Sequence, residues 1–329
     1  MKQQIYTSDL KDLILQNTYP LNYCSEEGIT EREILIRQPF GESLLREIFF
    51  EDVFISYGNM QLQRTTLLHT EIDFETVTLH FSLDGGSLSR FAGQQTPFTS
   101  FDSNVHNIIY TPYYQGQLEL EQHSNISMLE INMSPAFFRR IAPAGFYLFN
   151  DFHAAIHHKR PAVLRKQNLP ITPQMLWTIK QLMGCNRKGL LKRLFLEARI
   201  IDLFMMQVEQ FELYGDTAVT TTLSKKDLPK IHYARHLLLE HLQQPLSIME
   251  LARSAGINDF KLKKGFKEVF GTTVFGFVHE TRMQHAKEKL LDGEMNISEV
   301  ADYTGYKNRT HFTTAFKKHF GFLPSELRK

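Results

Sequence analysis

Over the first 133 residues apolar and polar positions alternate in short runs, the two-residue period of half-buried strands. Ile48–Tyr57, Thr76–Leu83, Asn107–Tyr110, Gln117–Glu121 and Ile126–Asn132 are rich in β-branched and aromatic residues and predict strands. Gly58-Asn59, Asp84-Gly85-Gly86 and Thr111-Pro112 divide them as turn signals. Many short strands separated by turns predict a sandwich or small barrel over residues 1–133.

The period lengthens at Ser134-Pro135, a helix start with proline in the first turn, followed by Phe137, Phe138 and Ile141 at helical spacing. Residues 134–214 read as a helical segment, its longest region running from about Thr172 to Leu213. There Leu191, Leu194, Ala198, Ile201, Met205 and Val208 are spaced 3, 4, 3, 4 and 3, a coiled-coil-like seam. Two readings stay open: a helix packed on its own domain, or a dimerisation surface. Residues 215–223, with Gly215, Asp216 and four threonines, read as a linker.

From residue 224 to 329 the chain contains a repeat. Ile248-Met-Glu-Leu-Ala-Arg-Ser-Ala-Gly-Ile257 aligns with Ile297-Ser-Glu-Val-Ala-Asp-Tyr-Thr-Gly-Tyr306 at an offset of 49 residues. Beyond the glycine the offset becomes 50, matching Leu262, Phe266, Lys267 and Phe270-Gly271 with Phe312, Phe316, Lys317 and Phe320-Gly321. A unit present twice is a duplicated module rather than a solenoid. Each copy has the parts of a helix-turn-helix. Ile248, Leu251 and Ala252 share one face of a first helix, which Gly256 ends because the turn needs a positive φ. Ile257 plugs the turn. Leu262, Phe266 and Phe270 then face inward along a second helix, leaving Lys261, Lys263, Lys264 and Lys267 outward. In the second copy Phe312, Phe316 and Phe320 face inward and Arg309, Thr310, Thr313, Thr314 and Lys317 outward. A helix fits a major groove, lysine and arginine reach guanine O6 and N7, and threonine offers a hydroxyl and a methyl. Lysines that miss base edges neutralise phosphates. For any single lysine a solvated face is the ordinary explanation; four on one outward face weaken it.

Charge divides the chain the same way. The net charge is +1, yet residues 224–329 hold 18 Lys and Arg against 12 Asp and Glu, while the rest holds 19 against 24. The basic part is the one suited to a polyanion. Two cysteines, Cys24 and Cys185, make no disulfide framework and fit a reducing compartment. The first residues lack the apolar core of a signal peptide, and no apolar run is long enough to cross a bilayer, so a cytoplasmic location is expected.

Residues 224–329 resemble the DNA-binding domain of the AraC/XylS family. The residues that carry the resemblance are Asn296-Ile-Ser-Glu-Val-Ala-Asp-Tyr-Thr-Gly-Tyr306, His311-Phe-Thr-Thr-Ala-Phe-Lys-Lys-His-Phe-Gly321 and Pro324. Asp259-Phe-Lys-Leu-Lys-Lys-Gly-Phe-Lys-Glu-Val-Phe-Gly271 departs from the commoner family form. With Thr273-Val-Phe-Gly276 and Arg282-Met283, it is similar instead to the branch typified by the pyochelin-receptor regulator. Leu327 also departs, standing where the family usually has tyrosine. The resemblance implies an α+β chain: a β-rich, cupin-like N-terminal domain with trailing helices, then an all-α domain of two helix-turn-helix units. A central helix from about Val274 to Leu291, with Gly293 past its end, would join those units. It implies that both recognition helices enter successive major grooves on one DNA face. The base-reading positions would be Lys261, Lys263, Lys264, Arg309, Thr310, Thr313 and Thr314, with Lys267 and Lys317 on phosphates. Double-stranded DNA, a small-molecule effector of siderophore-like kind, RNA polymerase and a second copy of the chain are the partners it suggests; no cofactor or metal is expected.

A cupin-type metal enzyme is the competing class. Its ligands would cluster as His-x-His with a nearby Glu, whereas His69, His80, His106 and His123 are scattered and His157-His158 are adjacent. No phosphate-cradling glycine loop or Cys-x-x-Cys pair occurs. Aromatic residues crowd the N-terminal region, among them Phe81, Phe98, Phe101, Tyr110 and Tyr114; most are expected in the core and a few around a pocket for a flat ligand. A third reading is an interaction protein whose helix-turn-helix domain no longer binds DNA.

Overall fold

The computed structural model describes residues 1–20, 28–122, 125–214, 227–293 and 295–327. The expected linker at 215–223, Cys24 and His123 lie outside them. The described residues form two compact units, 1–171 with 178–214, and 172–177 with 227–327.

The first unit begins with twelve strands: β1 (Lys2–Thr7), β2 (Leu13–Thr18), β3 (Thr30–Gln38), β4 (Gly41–Phe50), β5 (Val53–Leu62), β6 (Thr66–Ile72), β7 (Thr76–Asp84), β8 (Ser87–Phe91), β9 (Thr99–Phe101), β10 (Val105–Thr111), β11 (Tyr114–Leu120) and β12 (Ile126–Met133). Helices α1 (Pro135–Ile141) and α2 (Asn150–His157), short strands β13 (Ala162–Val163) and β14 (Leu169–Pro170), and helices α3 (Pro173–Met183) and α4 (Gly189–Tyr214) follow. One sheet runs β2-β1-β6-β11-β8-β9 and the other β13-β10-β7-β12-β5-β4-β3, with β14 also paired to β10. Alternate residues of both sheets point into a shared cavity. On β7 and β12 the opposite set, including Val77, Leu79, Phe81, Leu129 and Ile131, is fully buried. Those strands are therefore covered on both faces yet still alternate in sequence, because the set facing the cavity is largely polar: Thr76, Thr78 and His80 on β7, Glu130 and Asn132 on β12.

The β-rich expectation holds, with two corrections. Ile48–Tyr57 is not one strand: β4 ends at Phe50 and β5 begins at Val53, with Asp52 turning the chain at φ 61°. Gly58-Asn59 is not a turn but lies inside β5, where a Cβ on Gly58 would collide with the Leu44 carbonyl oxygen. That glycine is there for close strand approach. Similarly, the helical region expected from Thr172 to Leu213 is two helices, broken between Met183 and Gly189.

Ser134 caps α1, accepting from the Phe137 amide at 3.0 Å. Helix α4 packs its Leu196, Ile200, Leu203, Gln207 and Phe211 side inward. Its contact with β10 includes a buried polar cluster: His106, fully buried, bonds Gln210 Oε1 at 2.6 Å and Gln207 Nε2 at 2.9 Å. Burial drives the His106 pKa down to about 4. The folded value lies below the unfolded one, so protonation favours unfolding. Stability is complete above about pH 6.5 and falls progressively as pH drops toward 4, by roughly 3 kcal/mol for this group. Acid titration of the first unit's thermal midpoint should show this loss, and His106→Gln should flatten it relative to the parent chain.

The second unit is helical: α5 (Leu228–Glu240), α6 (Ile248–Ser254), α7 (Asp259–Phe270), α8 (Val274–Asp292), α9 (Ile297–Tyr303), α10 (Arg309–Phe320) and a closing 3-10 turn at Pro324–Glu326. Leu251, Leu262, Phe266, Phe270 and Phe277 build one core with α5, and Met283, Leu290, Val300, Phe312 and Phe316 build another. Leu327, the departure noted above, packs on the second core.

Candidate nucleic-acid interface

The repeat folds twice by the same local chemistry. Ser247 caps α6 in a reciprocal box with Glu250, at 3.3 and 2.9 Å, and Asn296 does so for α9 with Glu299, at 3.0 and 2.6 Å. Hydrogen bonds from Ser247 hold the Glu250 carboxyl below its usual pKa. Gly256 and Gly305 make the turns at φ 66° and 79°. Asn258 and Asn308 then cap α7 and α10, and Gly271 and Gly321 end them in the left-handed conformation. Every helix end in the two units thus carries a residue suited to it.

Those caps fix which side of α7 and α10 faces out. Leu262, Phe266 and Phe270 are buried on α7, as are Phe312 and Phe316 on α10, with Phe320 half-buried. Lys261, Lys263, Lys264 and Lys267 are exposed together along α7. Arg309, Thr310, Thr314 and Lys317 are exposed along α10, and Thr313 is half-buried beside them. Several already have partners. Lys261 Nζ lies 2.8 Å from Asp227, which is buried, so this lysine is tied to the start of α5. Lys263 reaches Asp259 at 3.5 Å, an exposed pair that water and salt weaken, and Lys264 reaches the half-buried Glu268 at 3.9 Å. Thr314 donates its hydroxyl to the Thr310 carbonyl at 2.9 Å, leaving its methyl and lone pairs outward.

Sequence reasoning assigned no role to Phe260 or Arg282, although both lie in the segments that carry the resemblance. Phe260 is 70% exposed in the first turn of α7, equivalent by repeat to Thr310. The signal was available, since an inward set at 262, 266 and 270 leaves 260 outside. Arg282 sits on α8 between the units. It donates to the carbonyls of Leu242 and Gln243 at 2.9 and 3.0 Å. A Cβ on Gly305 would come within 2.5 Å of its Nη2 and of the Gln243 oxygen. The guanidinium thereby joins the loop after α5 to the turn of the second unit.

A second candidate site lies in the first unit, where the cavity between the sheets measures about 280 Å³. Phe98, Phe101 and Tyr114 are the aromatics of the sequence reading that line it. The Glu47 carboxyl at its wall is pushed up by burial and drawn back by the neighbouring Arg32. Among the described residues no group of three or more His, Cys, Asp or Glu is arranged to hold a metal ion. None of the described helices is long and apolar enough to cross a membrane.

Comparison with known proteins gives two family matches. Residues 44–223, more than half of the chain, match the regulatory protein PchR N-terminal domain, and residues 251–329 match a helix-turn-helix domain. Regulatory protein PchR of Pseudomonas aeruginosa is 34% identical over 133 residues, 40% of this chain and 45% of that protein. The HTH-type transcriptional regulator GlxA of Rhizobium meliloti is 34% identical over 88 residues, 27% of each. The chain thus spans less than half the length of these curated relatives. Among solved structures, the C-terminal domain of AraT, a response regulator from Geobacillus stearothermophilus, aligns at 30% identity. That alignment covers 33% of this chain and 87% of that one, with a TM-score of 0.29. With its N-terminal match covering most of the first unit and a helix-turn-helix match behind it, the chain belongs to the PchR-type regulatory proteins of the AraC class.

Proposed function

We propose that the chain is a sequence-specific DNA-binding transcription regulator controlled by a small molecule held between the sheets of its first unit. The observation that carries the DNA-binding half is the duplicated design. Two capped helices, α7 and α10, bury phenylalanines on one side and present cationic or hydroxyl-bearing residues on the other. Lys263, Lys264, Arg309, Thr310, Thr313 and Thr314 are assigned to base edges, and Lys267 and Lys317 to phosphates. Lys261 joins the base-facing set only by leaving Asp227. The names of the relatives, a regulatory protein and a transcriptional regulator, support the same reading. Genome-wide mapping of bound DNA, followed by mobility shift on the recovered fragments, tests it; enrichment no greater than that of unbound control DNA contradicts it.

The partner assigned to α4 is a second copy of the chain. The seam of the sequence reading does not pack on its own domain: Leu191, Leu194, Ile201 and Met205 are 68, 52, 48 and 50% exposed. Lys188 precedes this stripe, and Glu209 and Glu212 lie at its far end. Antiparallel pairing about Ala198–Ile201 sets each basic end against an acidic one, whereas parallel pairing opposes like charges. Glu209→Lys with Glu212→Lys should raise the dimer dissociation constant at least about tenfold, and adding Lys188→Glu should restore it. Sedimentation equilibrium reads both; a monomeric parent chain at micromolar concentration contradicts the assignment.

A further inference from the structure

The cavity between the sheets has three tiers, set by strand register. At one end Tyr19, Phe49, Phe54 and Phe74 close it as a packed aromatic plug. At the other, Leu62, Leu68 and Leu120 form an apolar pocket with Met60, Leu118 and Met128. Between them runs a polar belt. Glu47 pairs across β4 and β5 with Ser56, Ser56 across β5 and β12 with Glu130, and Glu130 across β12 and β7 with His80. All four line the cavity.

The belt carries two carboxylates, and the His80 imidazole on it lies against one of them. Glu47 and Glu130 both line the cavity, and no lysine or arginine does so among the described residues. Arg32 is engaged with Glu47, and its guanidinium lies over the rings of Phe49 and Tyr19 at 4.8 and 5.2 Å. Among the described residues Glu130 is bonded only to His80 Nδ1, at 3.0 Å, and that imidazole lies against Phe101 with ring centroids 4.0 Å apart and planes tilted by 35°. Ser43 and Thr70, both more than nine-tenths buried, add lining hydroxyls with no hydrogen-bond partner among the described residues.

We propose that this cavity takes an amphipathic small molecule whose head is a cation or a neutral hydrogen-bond donor, and that it rejects carboxylate heads. The head sits on the belt beside Glu130 and the apolar body fills the pocket among Leu62, Leu68 and Leu120. A carboxylate there would face Glu130, whose neighbouring His80 is already engaged with it, with no lysine or arginine lining the cavity among the described residues to neutralise the new charge. An ammonium or hydroxyl head instead donates to Glu130, and the unpartnered hydroxyls offer further acceptors.

The inference rests on the reading of the cavity as the effector site, and the experiment separates the two. Calorimetry on the full chain would compare decylamine, decanol and decanoate below their micellar concentrations. The amine should bind at least about tenfold tighter than the carboxylate, with the alcohol between. Glu130→Gln should bring amine and carboxylate within about threefold while leaving decanol unchanged, which also shows that the variant is folded. Leu120→Trp, which fills the pocket, should abolish all three. Carboxylate binding as tight as amine binding, or an amine preference untouched by Glu130→Gln, overturns the charge inference and leaves the effector site standing. Failure of all three probes, or binding indifferent to Leu120→Trp, overturns the effector site itself.

Discussion

Lys264→Ala should lower affinity for the bound DNA by about 5- to 150-fold and broaden its sequence preference, the loss of about 1–3 kcal/mol expected for one base-edge contact. Arg309→Ala should do the same at a different set of base pairs, because it stands on the other recognition helix. The two losses should add, since they belong to separate units with separate cores. Lys267→Ala serves as the contrast. As a phosphate contact it should weaken all sequences alike and reduce the salt dependence by about one unit of slope. Folding should change little, since the ion pair lost with Lys264 is 3.9 Å long and its lysine end is exposed. Quantitative mobility shift against a randomised site reads affinity and preference together. Unchanged affinity and preference in Lys264→Ala removes its base-reading role.

Phe316→Ala should cost about 3–5 kcal/mol, the range for deleting a buried phenylalanine. Its ring is fully buried, with centroids 5.6 Å from Phe312, 4.6 Å from Phe320 and 6.0 Å from Phe322. The core it belongs to has few fully buried side chains, so the second helix-turn-helix unit has little to spare. Melting of that unit ahead of the rest, with loss of sequence-specific DNA binding, is the expected outcome by denaturant titration. Phe320→Ala, at a half-buried position, should cost clearly less. Equal costs would mean that the inward row of α10 is misassigned.

The helix-turn-helix units were legible in the sequence because their determinants are local. Asn296 with Glu299, Gly305, Asn308 and Gly321 lie at fixed offsets from the inward phenylalanines, and each acts within one turn of its own helix. The barrel was legible only as a class. Where β4 turns into β5 depends on Asp52 at positive φ, marked only by Glu51-Asp52 between apolar residues and by no glycine or proline, and Gly58 resembles a turn although it serves a strand crossing. A pocket with aromatic lining was expected and Phe98, Phe101 and Tyr114 do line the cavity, but its polar belt was out of reach, since it joins Glu47, Ser56, Glu130 and His80 from four strands, a proximity that only register creates. On α4 the spacing of the seam was plain but its direction was not. The buried side includes Lys192, Gln207 and Gln210, held by Glu31 and His106, while leucines and a methionine face outward. Both faces of α4 carry apolar residues, since Leu196, Ile200, Leu203 and Phe211 are buried too, so polarity alone does not tell them apart.

The most direct test of the whole proposal is guanine-methylation interference on a bound fragment, read base by base. Two clusters of interfering guanines one helical turn apart on the same face of the duplex are predicted, one lost with Lys264→Ala and the other with Arg309→Ala. A single cluster, or interference that neither substitution alters, would contradict two recognition helices in successive major grooves.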